Sequence, residues 1–86
     1  MKNLEEIVQW IRVELAQAFD RPIDKIDPTK SFARLGVDSA MVTHLVIGLE
    51  DMLKIELDPD CVADLLTIES LAAYAHTVKR GLEVEP

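Results

Sequence analysis

The sequence predicts an all-α fold, a four-helix bundle of three longer helices and one short helix, with a long loop between the first and second helices. Four stretches place apolar residues at the three- and four-residue spacing that forms one face of a helix. No stretch alternates apolar and polar residues in the manner of a half-buried strand. With 86 residues and 49% apolar content, the chain suits one small domain with a core.

The first helix is predicted over Leu4–Phe19. Asn3 is suited to the N-cap position, and Glu6 can bond back to it as in a capping box. The helix is expected to end at residues 20–22, because a residue that precedes proline disfavours helical geometry. Its apolar stripe consists of Leu4, Ile7, Val8, Ile11, Leu15 and Ala18.

A long connection follows, over about residues 20–37. Asp27 and Pro28 are expected to start one short turn, with the proline at the first helical position. Apolar side chains recur along this loop and are expected to pin it across the helix ends. They are Ile23, Ile26, Phe32, Leu35 and Val37. Trp10, which lies off the main stripe of the first helix, is expected to be partly buried against the loop.

The second helix is predicted over Ser39–Leu53 and the short third helix over Pro59–Leu65. Asp58 is the expected cap of the third helix, with proline at its first position. The inner face of the second helix is expected to be formed by Leu45, Val46, Leu49, Met52 and Leu53. A pair of apolar residues, Leu57 and Val62, is placed to form a hydrophobic staple across the start of the third helix.

The last helix is predicted over Ile68–Lys79, with Thr67 as its cap and Leu66 stapled onto Leu71. Gly81 is expected to stop it. Its apolar stripe consists of Ile68, Leu71, Ala72, Ala75 and Val78. The whole chain, residues 1–86, is interpreted as a single domain with a core of about residues 3–80 and a loose tail over 81–86.

The net charge of −7 bounds the possible partners. Like charge disfavours nucleic acids and anionic membranes, whereas a basic protein surface would be attracted. The N-terminus lacks the pattern of a signal peptide, and no apolar segment is long enough to span a bilayer. We therefore expect a cytoplasmic protein, monomeric, with no nucleic-acid or membrane partner.

Residues that could support catalysis or metal binding are scattered. His44 and His76 are isolated from other metal ligands, and the single cysteine, Cys61, is expected to be a buried small hydrophobe. No nucleophile, base and orienting acid can be assembled. The sequence therefore predicts a protein that is not an enzyme and binds no metal.

The stretch from Leu35 to Ser39 is the most informative. If Asp38 is the N-cap of the second helix, Val37 and Val42 form a hydrophobic staple, and Ser39 lies exposed in the first turn. A phosphate attached to Ser39 would meet the unpaired N–H groups of a helix N-terminus. Gly36 permits a tight turn just before it. Asp and Ser are also ordinary residues at helix starts, so these two residues alone do not establish a site.

The same stretch, Leu35-Gly36-Val37-Asp38-Ser39, resembles the LGxDS modification motif of acyl carrier proteins. The resemblance extends to residues 26–32, which are similar to the loop that leads to this motif. It also includes the Leu49-Glu50 pair and residues 67–72, which are similar to the TIExLA start of the family's fourth helix. Together these segments cover the chain from about residue 3 to residue 80.

The resemblance implies a carrier mechanism. A phosphopantetheinyl transferase would move 4′-phosphopantetheine from coenzyme A onto Ser39, beside the helix cap Asp38 and Gly36. The thiol of the arm would carry acyl groups as thioesters and could shelter them within the bundle. Implied partners are an acyl-loading enzyme, either an acyl-adenylating ligase or an acyltransferase, and a ketosynthase or other acyl-processing enzymes of polyketide or fatty-acid-type biosynthesis.

A face of the second helix is the candidate partner surface, and its members are Ala40, Met41, His44, Ile47, Glu50 and Asp51. Carriers of fatty-acid synthesis are often more acidic there, whereas this face keeps acids only at its far end. We therefore expect partner recognition to depend more on apolar contact around the arm than on acidic matching, with the alternative that Met41 or Ile47 is partly buried against the loop. Val37, where peptidyl carriers usually have a second glycine, favours a fatty-acyl or polyketide carrier.

Two alternatives remain open at this point. One is a peptidyl or aminoacyl carrier of nonribosomal peptide-type synthesis, which the adenylating enzyme that loads it would distinguish. The other is an unmodified helical interaction domain, which no phosphopantetheinyl transferase would modify. A starting methionine and a short tail suggest a discrete carrier protein rather than a domain of a larger one.

Overall fold

The computed structural model describes residues 3–83, and within this range it contains helices and no strand. The elements are α1 (Leu4–Phe19), α2 (Phe32–Leu35), α3 (Ser39–Leu53), α4 (Pro59–Ala63) and α5 (Ile68–Glu83), with one 3-10 turn at Ile23–Lys25. The predicted all-α class is confirmed. The difference lies in the long loop, which contains α2 and the 3-10 turn in addition to the expected turn at Asp27.

The predicted capping box of α1 is confirmed. Asn3 Oδ1 accepts a hydrogen bond from Glu6 N at 2.8 Å, and Glu6 Oε1 accepts one from Asn3 N at 3.3 Å. The helix ends because Asp20 adopts the left-handed conformation, with φ of 53°. Arg21 N then bonds to Ala16 O at 2.9 Å, which closes the last turn before the proline.

The start of α5 follows the prediction, and its end does not. Ser70 N donates to Thr67 Oγ1 at 3.0 Å and Thr67 N donates to Ser70 Oγ at 3.1 Å, so Thr67 caps the helix. The helix continues through Gly81 to Glu83, and the predicted stop at Gly81 is wrong. Glycine ends a helix when it takes a positive φ, and among the described glycines Gly36 alone does so. Residues 84–86 of the predicted tail lie outside the described residues.

The core is formed where α1 and α5 pack together and α3 covers them. Its nine fully buried large side chains are Ile7, Ile11, Leu15, Ile26, Leu45, Leu49, Leu53, Ile68 and Leu71. The predicted stripes therefore locate the core, with differences at their edges, and Leu4 of the predicted α1 stripe is 41% exposed. In α1, Ala16 is buried and Ala18 is exposed, because the buried face drifts around the helix toward its C-terminus. The third predicted helix corresponds to α4, which ends at Ala63, two residues earlier than predicted.

Arg12 anchors the loop to α1. Its Nε donates to Ile26 O at 2.8 Å, and its second guanidinium nitrogen donates to Ile23 O at 2.9 Å. The side chain of Ile26 is 2% exposed, whereas that of Ile23 is 38% exposed, so Ile23 does not pin the loop as expected. A fixed guanidinium fork thus orders a segment that has little regular secondary structure.

The second half of the loop is tied to the connection before α5. Phe32 N donates to Leu66 O at 2.7 Å, and Glu69 N donates to Pro28 O at 3.2 Å. The expected turn at Pro28 is present, but it is a β-turn closed by Lys30 N and Asp27 O at 3.3 Å rather than a helical turn. These bonds set the position of α2 and of the segment that follows it.

Trp10 is partly buried, as predicted, and its ring packs against Gly48 of α3. A Cβ added to Gly48 would lie 2.5 Å from Cη2 of the Trp10 ring. Only glycine at this position leaves room for the indole ring between α1 and α3.

Candidate functional site

The segment from Phe32 to Val37 is a helix end that leads directly into a helix start. Gly36 has φ of 81°, and its N–H bonds to Ala33 O at 3.2 Å while Val37 N bonds to Phe32 O at 2.8 Å. This pair of bonds is the Schellman arrangement, which requires a residue that tolerates the left-handed region. No heavy atom lies within 4 Å of a Cβ added to Gly36, so the backbone conformation rather than space accounts for the glycine.

Asp38 is the N-cap of α3, as predicted. Its Oδ1 accepts a hydrogen bond from Met41 N at 2.9 Å, and its carbonyl accepts the first intrahelical bond, from Val42 N at 3.0 Å. Since Asp38 provides the cap, the Ser39 hydroxyl is free of that role, and Ser39 is exposed. Val37 is buried beneath it, which fixes the direction in which the chain enters α3.

The start of α3 suits a phosphodiester. The N–H groups of Ser39 and Ala40 precede the first intrahelical bond, and the helix they begin is 15 residues long. Such an N-terminus carries a partial positive charge that favours an attached phosphate. The Asp38 carboxylate, which carries the same sign as a phosphate, is engaged by Met41 N. An exposed hydroxyl at this point therefore fits the covalent arm that the sequence implied.

A groove of about 520 Å³ opens beside Ser39, between α3 and the segment that contains α4. One wall is a continuous stripe along α3, made of Ser39, Val42, Thr43, Val46, Ile47 and Glu50. The floor and the facing wall are formed by Phe32, Val37, Leu57, Pro59, Val62, Ala63, Leu65 and Leu66. The groove is mainly apolar, and it runs from the exposed serine toward the C-terminal half of α3.

The groove was not predicted, because its walls come from segments that are distant in sequence. One residue could have indicated it: Leu66 is a large apolar residue between two helices that belongs to neither helix's apolar stripe. It was expected to staple onto Leu71, but it is 65% exposed on the rim of the groove. The Leu57 and Val62 pair, also expected as a staple, lines the same groove.

The candidate partner face divides into two groups. Ala40, His44, Ile47 and Asp51 are exposed, and Ile47 is 60% exposed despite its apolar side chain. His44 Nε2 lies 3.6 Å from Glu14 Oε1 on α1, with most of its side chain in solvent.

The other two members of that face point inward. Met41 is partly buried against the core. Glu50 is also partly buried, and its Oε2 accepts a hydrogen bond from Leu57 N at 2.9 Å. Charge reversal at Glu50 would therefore break a bond inside the protein, and Asp51 is the better position for testing charge at this face.

Cys61 is exposed on α4, so the expectation that it is buried is wrong. Of the five residues of α4, Val62 alone packs against the core. The Asp58 N–H, which donates to Tyr74 Oη at 3.0 Å, lowers the phenol's pKa. Desolvation and the adjacent Cys61 thiol outweigh this effect, and the pKa of Tyr74 lies above its ordinary value.

Two features are absent from the described residues. Within residues 3–83, no helix is both long enough and apolar enough to cross a membrane. In the same range, no three His, Cys, Asp or Glu side chains are arranged to hold a metal ion.

Comparison with known proteins gives a consistent result. Residues 9–75 match the family model described as a phosphopantetheine attachment site. Acyl carrier protein 3 of Ralstonia nicotianae is 36% identical over 80 residues, which cover 90% of this chain and 92% of that protein. An acyl carrier protein of Exiguobacterium sp. is 30% identical over 74 residues, which cover 85% of this chain and 94% of the relative.

Two solved structures share the fold. A free-standing peptidyl carrier protein from Acinetobacter baumannii has a TM-score of 0.74 and 29% identity, covering 95% of this chain and 99% of that one. An HMG-ACP domain of the CurA module from Lyngbya majuscula has a TM-score of 0.72 and 25% identity, covering 92% and 81% of the two chains. The chain thus belongs to the acyl carrier protein family, whose members are non-catalytic carriers with a covalently attached 4′-phosphopantetheine.

Proposed function

We propose that the arm is attached at Ser39 and that the protein presents acyl groups, held as thioesters, to enzymes of polyketide or fatty-acid-type biosynthesis. The observation that carries this proposal is the position of Ser39. It is exposed in the first turn of α3 and it also lines one end of the apolar groove. A group linked there can reach a partner enzyme or lie back along the protein.

The groove supports an apolar cargo. Its stripe on α3 follows the same side of the helix from Ser39 onward, so a flexible arm can fold back and place an acyl chain against Val42, Val46 and Val62. Burial of apolar surface is worth roughly 25 cal/mol for each Å² removed from water. Shelter of this kind would protect the thioester from water while the carrier is away from its enzymes.

A fatty-acyl or polyketide cargo fits this groove better than an aminoacyl one. An α-amino group carries a positive charge, and moving it into an apolar groove without a partner would be costly. A peptidyl role is the second candidate, supported by the likeness to the Acinetobacter carrier. The two are separated by loading, since an acyl-adenylating ligase and an amino-acid-adenylating enzyme accept different carriers.

The attachment site is tested by the intact mass after incubation with coenzyme A, magnesium and a broad-specificity phosphopantetheinyl transferase. The wild type should gain one phosphopantetheinyl group, and Ser39→Ala should gain none. Ser31→Ala is the control, because Ser31 is also a serine at a helix start, where its Oγ accepts a hydrogen bond from Arg34 N at 3.2 Å. No gain by a folded wild-type protein with several transferases would favour the unmodified interaction domain instead.

Partner enzymes would dock on the exposed side of α3, where Ala40, His44, Ile47 and Asp51 lie. Burial of an apolar side chain at an interface contributes about 1–2 kcal/mol, or roughly a tenfold change in affinity. Ile47→Ala should therefore reduce kcat/KM of an acyl-transfer partner about tenfold, and Asp51→Lys should reduce it less. A larger loss for Asp51→Lys would show that charge dominates the recognition.

A further inference from the structure

The groove beside Ser39 has a defined far end. Glu50 is the last residue of the α3 stripe that lines it, eleven positions after Ser39 and so about 16 Å along the helix axis. All the α3 residues between them that face the groove are valine, threonine or isoleucine. Two charged side chains line the groove: Asp38 beside Ser39 at its near end, and Glu50 where the α3 stripe ends.

Glu50 is held in this position by a hydrogen bond. Its Oε2 accepts from Leu57 N at 2.9 Å, and Leu57 belongs to the groove floor. The bond spans the turn at Lys54, so the carboxylate joins α3 to the segment that leads into α4. The side chain is thus fixed across the gap between the two walls rather than free in solvent.

A second depression lies on the other side of Glu50. It is lined by Glu50, Lys54, Ile55, Glu56 and Leu82. Glu50 is the one residue that lines both this depression and the groove. Glu50 therefore borders both spaces, which makes its side chain the candidate partition between them.

We propose that Glu50 closes the far end of the groove and thereby limits the length of the acyl chain that the carrier can shelter. This inference rests on the proposed carrier function. A longer chain would have to displace the carboxylate, which breaks its bond to Leu57 N and leaves a buried amide unpaired. An alkyl end pressed against the carboxylate would also strip water from a charge. Chains that end before Glu50 meet neither cost.

The test uses acyl-coenzyme A substrates of increasing length, from butyryl to myristoyl. A phosphopantetheinyl transferase moves each acyl-phosphopantetheine onto the protein and releases adenosine 3′,5′-bisphosphate. The rate of thioester cleavage by hydroxylamine then reports shelter. In the wild type, cleavage should slow with each added pair of carbons up to a limit and then change no further. In Glu50→Ala, the limit should move to longer chains, which should be cleaved several-fold more slowly than on the wild type.

Two variants separate size from charge. Glu50→Gln keeps the length of the side chain and an oxygen that can accept from Leu57 N, and it loses only the cost of desolvating a charge, so its limit should stay much closer to the wild type than that of Glu50→Ala. Asp64→Ala removes an exposed acid that does not line the groove and should match the wild type. If Glu50→Ala fails to fold, Glu50→Asp serves in its place, with a smaller shift in the same direction because the partition is shortened.

Each result decides the matter. An unchanged limit in Glu50→Ala or its substitute, or a limit in Glu50→Gln that moves as far as in Glu50→Ala, would overturn the inference. Loading in full, as seen by mass, with no dependence of cleavage on chain length in the wild type would also overturn it while leaving the carrier function intact. A wild type that cannot be loaded would refute both.

Discussion

Replacing Gly48 by alanine is expected to destabilise the protein, although alanine is the better residue in a helix. A Cβ at this position would lie 2.5 Å from Cη2 and 3.0 Å from Cζ2 of Trp10. Helix propensity favours alanine by about 1 kcal/mol. An extra methyl group forced into a packed contact costs typically about 1–3 kcal/mol. The steric effect is the larger, so we expect a net loss of about 1 kcal/mol in the free energy of unfolding.

The measurement is urea unfolding followed by circular dichroism, which does not depend on the indole ring. In a protein of this size, a loss of about 1 kcal/mol lowers Tm by roughly 4–8 °C. The decisive comparison repeats the substitution in a Trp10→Ala background. With the ring absent, helix propensity alone remains, and Gly48→Ala should then stabilise by up to about 1 kcal/mol.

Gly81 provides a matched control within the same molecule. It lies in α5, and no heavy atom is within 4 Å of a Cβ added there. Gly81→Ala should therefore stabilise slightly, by less than about 1 kcal/mol because it is near the helix end. If Gly48→Ala stabilises the wild-type background as well, the ring does not limit the approach of α1 to α3 and the reasoning is refuted.

Three further substitutions test local features. Asp38→Ala removes the acceptor for Met41 N and should lower the free energy of unfolding by about 1 kcal/mol in urea titrations, and also slow modification by the transferase. Lys54→Gly relieves a left-handed residue with φ of 57° and should raise stability by about 1 kcal/mol, measured as Tm. Asp27→Asn should reduce the dependence of stability on pH in the acid range, measured as urea midpoints across that range. Hydrogen bonds from the Thr29 hydroxyl and N–H lower the pKa of Asp27 from 3.8, so its stabilisation is present above that value and lost as the pH falls through the lowered pKa.

Each of these three expectations has a contrary result. Equal stability of Asp38→Ala and wild type would show that water replaces the cap at no cost. A less stable Lys54→Gly would mean that the gain in entropy of the unfolded chain exceeds the strain relieved. An acid transition of Asp27→Asn that matches the wild type would assign acid unfolding to other carboxylates.

Helix starts were predictable from sequence because their determinants are local. Asn3, Asp38, Asp58 and Thr67 were each expected to cap a helix, and each accepts a hydrogen bond from the first turn. A cap side chain and its partner are two or three residues apart, so the pattern is readable without knowledge of the fold. The end of α5 was different, since whether Gly81 stops a helix depends on its φ, which neighbours beyond the local sequence decide.

The candidate site likewise has one part that local sequence predicts and one part that depends on the fold. The exposure of Ser39 follows from the cap at Asp38 and the buried Val37, which are adjacent in sequence. The groove does not, because Val46 on α3 meets Leu66 only through the path of the chain around α4. Glu50 was placed on the partner face by its helical position, yet its bond to Leu57 N turns it toward the groove.

Two of the side chains that line the groove are large, apolar and exposed. Ile47 and Leu66 are 60% and 65% exposed, whereas a collapsed α3–α4 contact would bury both. Full burial of such a side chain is worth about 1.5–3 kcal/mol, so an open groove forgoes a substantial part of the stability of a small domain. An acyl chain on an arm attached at Ser39, as proposed, would recover part of it, because a group that contacts only the folded state stabilises that state and a tether keeps its effective concentration high. The acylated protein should therefore unfold at a higher temperature than the form that carries the bare arm, and the exposed apolar rim is what makes its stability depend on cargo.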